Sequence, residues 1–226
     1  MRIKSRIAAG LVVAAGLLSG CGSDTDSAQT LTIYRDILKG LVTPNATGGG
    51  SGVTEADIAA TLQRTDRPLA LVNAEDRKSQ ALVVEIERNG PYRTFATRDR
   101  QTFITRGGMV TGTRGLGGDL MSSDATALLR LVSARSPGTA PYVMRFLTPD
   151  NQTVTESYTC TVSPGASAPF ALGAVNQTGR IVTAACTGED GEFTNGYIVA
   201  GDGYILAARQ FLGEATGILA LQAVRR

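Results

Sequence analysis

The sequence predicts a mainly β, α+β fold: an antiparallel sheet arranged as a sandwich or partly closed barrel, with a few helices packed beside it. Three observations carry this expectation. From residue 69 the chain shows the period-two pattern of strands, clearest where Leu82, Val84 and Ile86 interleave with Val83, Glu85 and Glu87. Turn-forming clusters then cut the chain into short, regularly spaced pieces: Asn89-Gly90-Pro91, Arg106-Gly107-Gly108, Pro149-Asp150-Asn151, Gln177-Thr178-Gly179, Gly201-Asp202-Gly203 and Gly213 to Gly217. Helical spacing is confined to a few short stretches.

The elements follow in order. Residues 1–20 have the form of an export signal: Arg2, Lys4 and Arg6 make a positive front, and Ile7 to Leu18 form an apolar run shorter than a bilayer span. Leu18-Ser19-Gly20-Cys21 matches the lipobox of bacterial lipoproteins. Small residues before Cys21 suit a narrow peptidase cleft, the thiol takes a diacylglycerol, and cleavage frees an amine for a further acyl chain such as palmitate. Several chains together hold a protein stably at a membrane. Gly22-Ser23, rather than Asp, follows the cysteine and fits outer-membrane sorting. Residues 21–28 are a small, polar tether, and residues 29–226 are expected to form one domain. Leu31, Tyr34, Leu38 and Leu41 share one helical face; residues 43–53 form a loop; Thr54 caps a helix EADIAATLQ, with Asp57 at its third position. Strands are expected at Tyr92 to Thr97, Gln101 to Thr105 and Met109–Thr113. A second helix follows a serine cap and places Ala125, Leu128, Leu129 and Val132 on one face; the remainder is strand.

Composition excludes several function classes. Three of the 22 basic residues lie in the signal, which leaves 19 against 20 acids in the mature chain. That balance offers no basic stripe for nucleic acid. The chain has no histidine, so Ser-His-Asp and Cys-His nucleophile systems and histidine-bearing metal sites are out. Lys39 and Lys78 are the only lysines after the signal, there is no GxxxxGK[ST] loop, and Gly115-Leu116-Gly117-Gly118 lacks the GxGxxG spacing. No catalytic residue, metal site or cofactor is predicted. With Cys21 committed to lipid, Cys160 and Cys186 remain as an even pair in an oxidising compartment. A disulfide is the natural reading, against two free thiols or half a metal site. Such a bridge stabilises by about 3.5 kcal/mol in the chain-entropy model.

Four polar residues are candidates for binding. Arg114 follows a strand and precedes glycines. Its guanidinium either meets sugar hydroxyls, uronate carboxylates or a partner protein, or ties down its own loop through backbone carbonyls. Arg209 lies among Ile205, Ala207 and Phe211 on one strand face, as a paired, partly buried arginine or as the polar tip of a groove. Asn195 and Gln210 are candidates to join it.

Two stretches resemble the YjbF/GfcB (YmcC-like) family of lipoproteins. The first is ITRGGMVTGTRGLGGDL, residues 104–120, with Thr113, Arg114, Gly115, Leu116, Asp119 and Leu120 in the family's pattern. The second is NGYIVAGDGYILAARQFLGEATGILALQAVRR, where Asn195, Tyr197, Val199, Gly203, Ile205, Arg209, Gln210, Gly217 and Ile218 keep the family's order. Tyr158-x-Cys160 and Cys186 are similar to its cysteine pair. Ala207-Ala208 replaces a frequent Lys-Ser, and Ile198 replaces a usual tryptophan. The resemblance implies a lipid-anchored protein on the periplasmic side of the outer membrane, assisting exopolysaccharide or capsule production without catalysis. Its expected partners are the membrane, polysaccharide and export proteins. The alternative is a lipid or lipoprotein carrier of the LolA/LolB type, which requires an apolar cavity open to solvent. A carboxylate-only glycan hydrolase requires two acids facing across a cleft, and the sequence shows no such pair.

Overall fold

A computed structural model describes residues 52–148, 150 and 152–226. The signal at 1–20, Cys21 with its tether, the helical face from Leu31 to Leu41 and most of the loop at 43–53 lie outside the described residues.

Helix α1 spans Glu55–Arg64. It starts where expected because Thr54 and Asp57 form a reciprocal capping box: Asp57 N–H donates to Thr54 Oγ1 at 3.2 Å, and Thr54 N–H donates to Asp57 Oδ2 at 2.9 Å. The Thr54 hydroxyl, donating to Asp57 Oδ2 at 2.6 Å, and then the Thr54 N–H hold the Asp57 carboxyl below its ordinary range, since both bonds favour its charged form. Twelve strands and a second helix follow. They are β1 (Leu69–Ala74), β2 (Ser79–Asn89), β3 (Tyr92–Ala96), β4 (Thr102–Arg106), β5 (Met109–Arg114), β6 (Leu120–Asp124), α2 (Thr126–Ala134), β7 (Gly138–Leu147), β8 (Thr153–Leu172), β9 (Val175–Gly188), β10 (Gly191–Val199), β11 (Ile205–Phe211) and β12 (Ile218–Arg225).

The strands form one antiparallel sheet in the order β5-β4-β3-β2-β1-β12-β11-β10-β9-β8-β7-β6. Its two terminal strands, β5 and β6, are neighbours in sequence and in space, so the sheet curls into a nearly closed barrel. This near-closure sets the two edge strands against each other and shields edges that would otherwise template aggregation. The expected β-rich class is therefore found in its barrel form, with both helices packed against the sheet. The turns after β1, β3, β5, β7, β9 and β11 lie at one end, here the first rim. Those after β2, β4 and β10, with α2, lie at the second rim. The described chain enters at the first rim, where Val53 N–H donates to Gln80 Oε1 near the start of β2.

The interior is filled with side chains. Val83, Phe95, Phe103, Met109, Leu120, Tyr142, Met144 and Tyr197 are buried in one cluster, to which α2 contributes Leu128, Leu129 and Val132. Two further clusters lie on the outside. Under α1, Ile58 packs on Leu69, Leu71 and Val224, with Leu82 and Val84 against them. Strands β8 and β9, 20 and 14 residues long, continue past the barrel as an arm that covers the outer face of β10 to β12. There Phe170 and Val175 pack on Ile198, Leu206, Ala207 and Ala223, and Ala174 N–H donates to Val224 O at 2.9 Å.

Three local expectations change. Gln177-Thr178-Gly179 lies within β9, and the chain reverses at Gly173-Ala174 instead, where Ala174 N–H bonds Val224 O. Helix α2 has Ala125 at its cap with no side-chain cap bond; the serines before it belong to β6. On β2, Val83 rather than Leu82 or Val84 faces the interior, and Ile86 is exposed. The strand has apolar residues on both faces because a helix covers its outer side.

Candidate functional site

Where β5 meets β6 no backbone ladder forms among the described residues, and side chains join the strands instead. Ser123 Oγ donates to Thr111 O at 3.1 Å, and Thr113 Oγ1 accepts from Leu120 N–H at 3.0 Å. Arg114 spans the same seam. Its Nη1 donates to Thr113 O at 2.5 Å and Leu120 O at 3.2 Å, and its Nη2 to Met121 O at 3.0 Å. Asp119 organises the connecting loop by accepting from Gly115 N–H, Leu116 N–H and the Thr113 hydroxyl. The loop also packs on the β11–β12 turn: a Cβ at Gly118 would stand 2.3 Å from Ala215 Cβ, and the Thr216 hydroxyl donates to Gly118 O at 2.7 Å. No larger residue than glycine fits at 118 with both turns in place.

These loops border a groove of about 650 Å³ at the first rim. Arg114 and Asp119 line one side, Phe146, Leu147 and Val154 supply apolar walls, and Glu156 and Glu214 add carboxylates. Arg114 thus reaches the groove while its donors hold carbonyls of β5 and β6. The groove has polar and apolar walls and offers binding contacts; Arg114 is its one cationic lining residue.

The other candidates lie elsewhere. Arg209 pairs side-on with Glu75, Nε to Oε1 at 2.8 Å and Nη2 to Oε2 at 2.6 Å, tying β11 to the β1–β2 turn. Both side chains are about one-fifth exposed, at 19% and 23%. Its expected face is broken by an irregularity in the β10–β11 ladder: Ile205 is in the interior cluster, whereas Ala207 lies under the arm. Gln210 is buried and substitutes for a strand backbone. Its Oε1 accepts from Val110 N–H at 2.8 Å, and its Nε2 donates to Val110 O at 3.2 Å, joining β11 to β5. Asn195, also buried, accepts from Phe211 N–H at 2.9 Å, while its Nδ2 has no hydrogen-bond partner. Arg114, Arg209, Gln210 and Asn195 therefore do not converge on one site.

Cys160 and Cys186 are directly opposed on β8 and β9, face the interior and have sulfurs 2.02 Å apart. Beside them lies a group of tyrosines, of which the sequence singled out Tyr158 and Tyr197 only as positions of the family pattern and Tyr142 not at all. Tyr142 and Tyr197 are fully buried, their hydroxyls lack hydrogen-bond partners, and burial pushes both phenols far up. Tyr158 donates to Glu156 Oε2 at 2.8 Å, and burial followed by that bond pushes its phenol up too. The inward phase of each strand could have shown their burial, but nothing local predicts which strands face them. Among the described residues, no group of three or more His, Cys, Asp or Glu side chains is placed to hold a metal ion.

Comparison with known proteins follows the same lines. No curated protein sequence matches the chain. Among solved structures, the fold is similar to the hypothetical lipoprotein YmcC from Escherichia coli (K12), with a TM-score of 0.64 at 14% identity, over 91% of this chain and 97% of that one. The family profile described as "Group 4 capsule polysaccharide lipoprotein gfcB, YjbF" matches residues 52–224, which takes in the seam, the groove and the arm, and the chain belongs to that family.

Proposed function

We propose that the mature protein is anchored by lipid on Cys21 in the outer membrane, faces the periplasm, and serves capsule or exopolysaccharide production or export as a binding or assembly module without catalysis. The family match over residues 52–224 carries this reading, and the lipobox ending at Cys21 supports the anchor. A lipid tether keeps a domain at one surface and raises its effective concentration near other envelope components. That arrangement favours docking or guiding over turnover of a diffusing substrate. The carrier alternative finds no support: the barrel interior is occupied by packed side chains.

Deleting the gene is expected to lower surface or secreted polysaccharide while its sugar precursors persist. Normal polysaccharide together with defective lipoprotein sorting would overturn the reading. A Cys21→Ser precursor should lose lipidation and leave the outer-membrane fraction; retention there would show that lipid is not the anchor.

A further inference from the structure

The second rim carries two arginine–tyrosine groups, on adjacent rows of the β2–β4 sheet, that play no part in the seam or the groove. Arg88 and Arg93 face each other across β2 and β3 and share one carboxylate: Glu85 accepts from Arg88 Nε at 3.1 Å and from Arg93 Nε at 2.6 Å. Arg93 Nη1 continues to the Tyr204 hydroxyl at 3.4 Å. Arg226 stacks over Tyr204, 4.2 Å from the ring centroid, and pairs with Asp202 at 2.6 Å. On the other flank Tyr92 pairs with Arg106 across β3 and β4, and the Arg106 guanidinium lies over the Tyr92 ring at 5.8 Å. Three of these four arginines pair with the acids Glu85 and Asp202, and Arg106 bonds only the Thr126 hydroxyl.

The donors are not exhausted. Each guanidinium has five N–H groups in a fixed fork. Arg88 directs only its Nε and one terminal nitrogen to Glu85, and its side chain is 57% exposed. Arg106 commits Nη1 to Thr126, and Arg226 commits Nη2 to Asp202. The Tyr92 and Tyr204 rings lie beside the Arg106 and Arg226 guanidinium carbons, at 5.8 and 4.2 Å from their centroids, and a guanidinium fork donates to a carboxylate two bonds at a time. Tyr92, 39% exposed, adds an apolar ring face beside the charges.

We propose that this rim binds the carboxylate-bearing sugars of an anionic polysaccharide. The assignment rests on the polysaccharide role proposed above and names its ligand class and site. Ring faces beside guanidinium forks match a chain of rings that carries acid groups. The rim is also at the barrel end opposite the one where the described chain enters.

The test uses the mature lipoprotein in detergent, with polygalacturonate as the uronate probe, dextran as the neutral one, and phosphatidylglycerol vesicles as an anionic surface. Polygalacturonate should bind, more weakly as salt rises, and dextran should not. The double variant Arg88→Gln/Arg106→Gln should weaken polygalacturonate binding about tenfold or more, as expected for lost charge-assisted bonds, with Tm little changed. Arg98→Gln, an exposed arginine at the first rim, should bind as wild type. An equal loss in Arg98→Gln, equal binding of dextran, no polygalacturonate binding, or rim-dependent binding of vesicles alone would each overturn the proposal. A gene deletion with normal polysaccharide would sink the broader role. A deletion defect fully restored by the non-binding rim variant would sink the rim alone.

Discussion

At the scale of single residues, the same side-chain type serves different ends. Arg114, Arg209 and the rim arginines are all partly exposed, but their partners separate them. Arg114 donates to Thr113 O on its own strand and to Leu120 O and Met121 O across a seam that lacks a ladder, so it is placed to join β5 to β6. Arg114→Ala is therefore expected to destabilise the barrel by about 1–3 kcal/mol, the range for a few partly solvated bonds, and to lower Tm by several degrees. Arg114→Lys should restore little of this, because an ammonium cannot reproduce the fork. Thermal unfolding followed by circular dichroism checks both. A full-stability Arg114→Ala protein with impaired polysaccharide production would instead make Arg114 a binding residue of the groove. The sequence left these two roles open, because an arginine before glycines reads the same in either case. The decision needed the carbonyls of Leu120 and Met121, which belong to the next strand.

At the scale of elements, α1 and the β8–β9 arm do the same job on different faces: each covers apolar residues on the outside of the barrel. Helix α1 was legible in the sequence because Thr54 and Asp57 form a local capping signal. The arm was not, because its long strands contain a Gln-Thr-Gly cluster that resembles a turn but pairs within β9. The true reversal needs Gly173, whose φ is +58° and where a Cβ would stand 2.4 Å from Val224 Cγ1. Gly173→Val should cost more than about 1 kcal/mol from the left-handed backbone alone and should loosen the arm. The readout is faster hydrogen exchange at Ala174 and easier proteolysis near the turn, with exchange in β3 and β4 unchanged. Unaltered exchange at Ala174 would mean that the arm is not held by this turn.

At the scale of the whole molecule, the barrel brings together strands far apart in sequence, and Cys160 with Cys186 shows the consequence. Non-reducing mass spectrometry of the mature protein is expected to recover one linked peptide containing both cysteines. Reduction should lower stability by up to about 3.5 kcal/mol, measured by urea unfolding. Two free, alkylatable thiols in protein taken from the periplasmic side would defeat this expectation. The β-rich class, the positions of β3 to β5, the first helix cap and the family resemblance follow from local information: period-two patterning, turn residues and short motifs act within a few positions. Barrel closure at β5 and β6, the arm over β10 to β12, the inward phase of β2 and the arginine–tyrosine rim do not. Each depends on which distant strand lies alongside, and the sheet order that decides it is set by burial of the whole core, a collective quantity that no short stretch of sequence encodes.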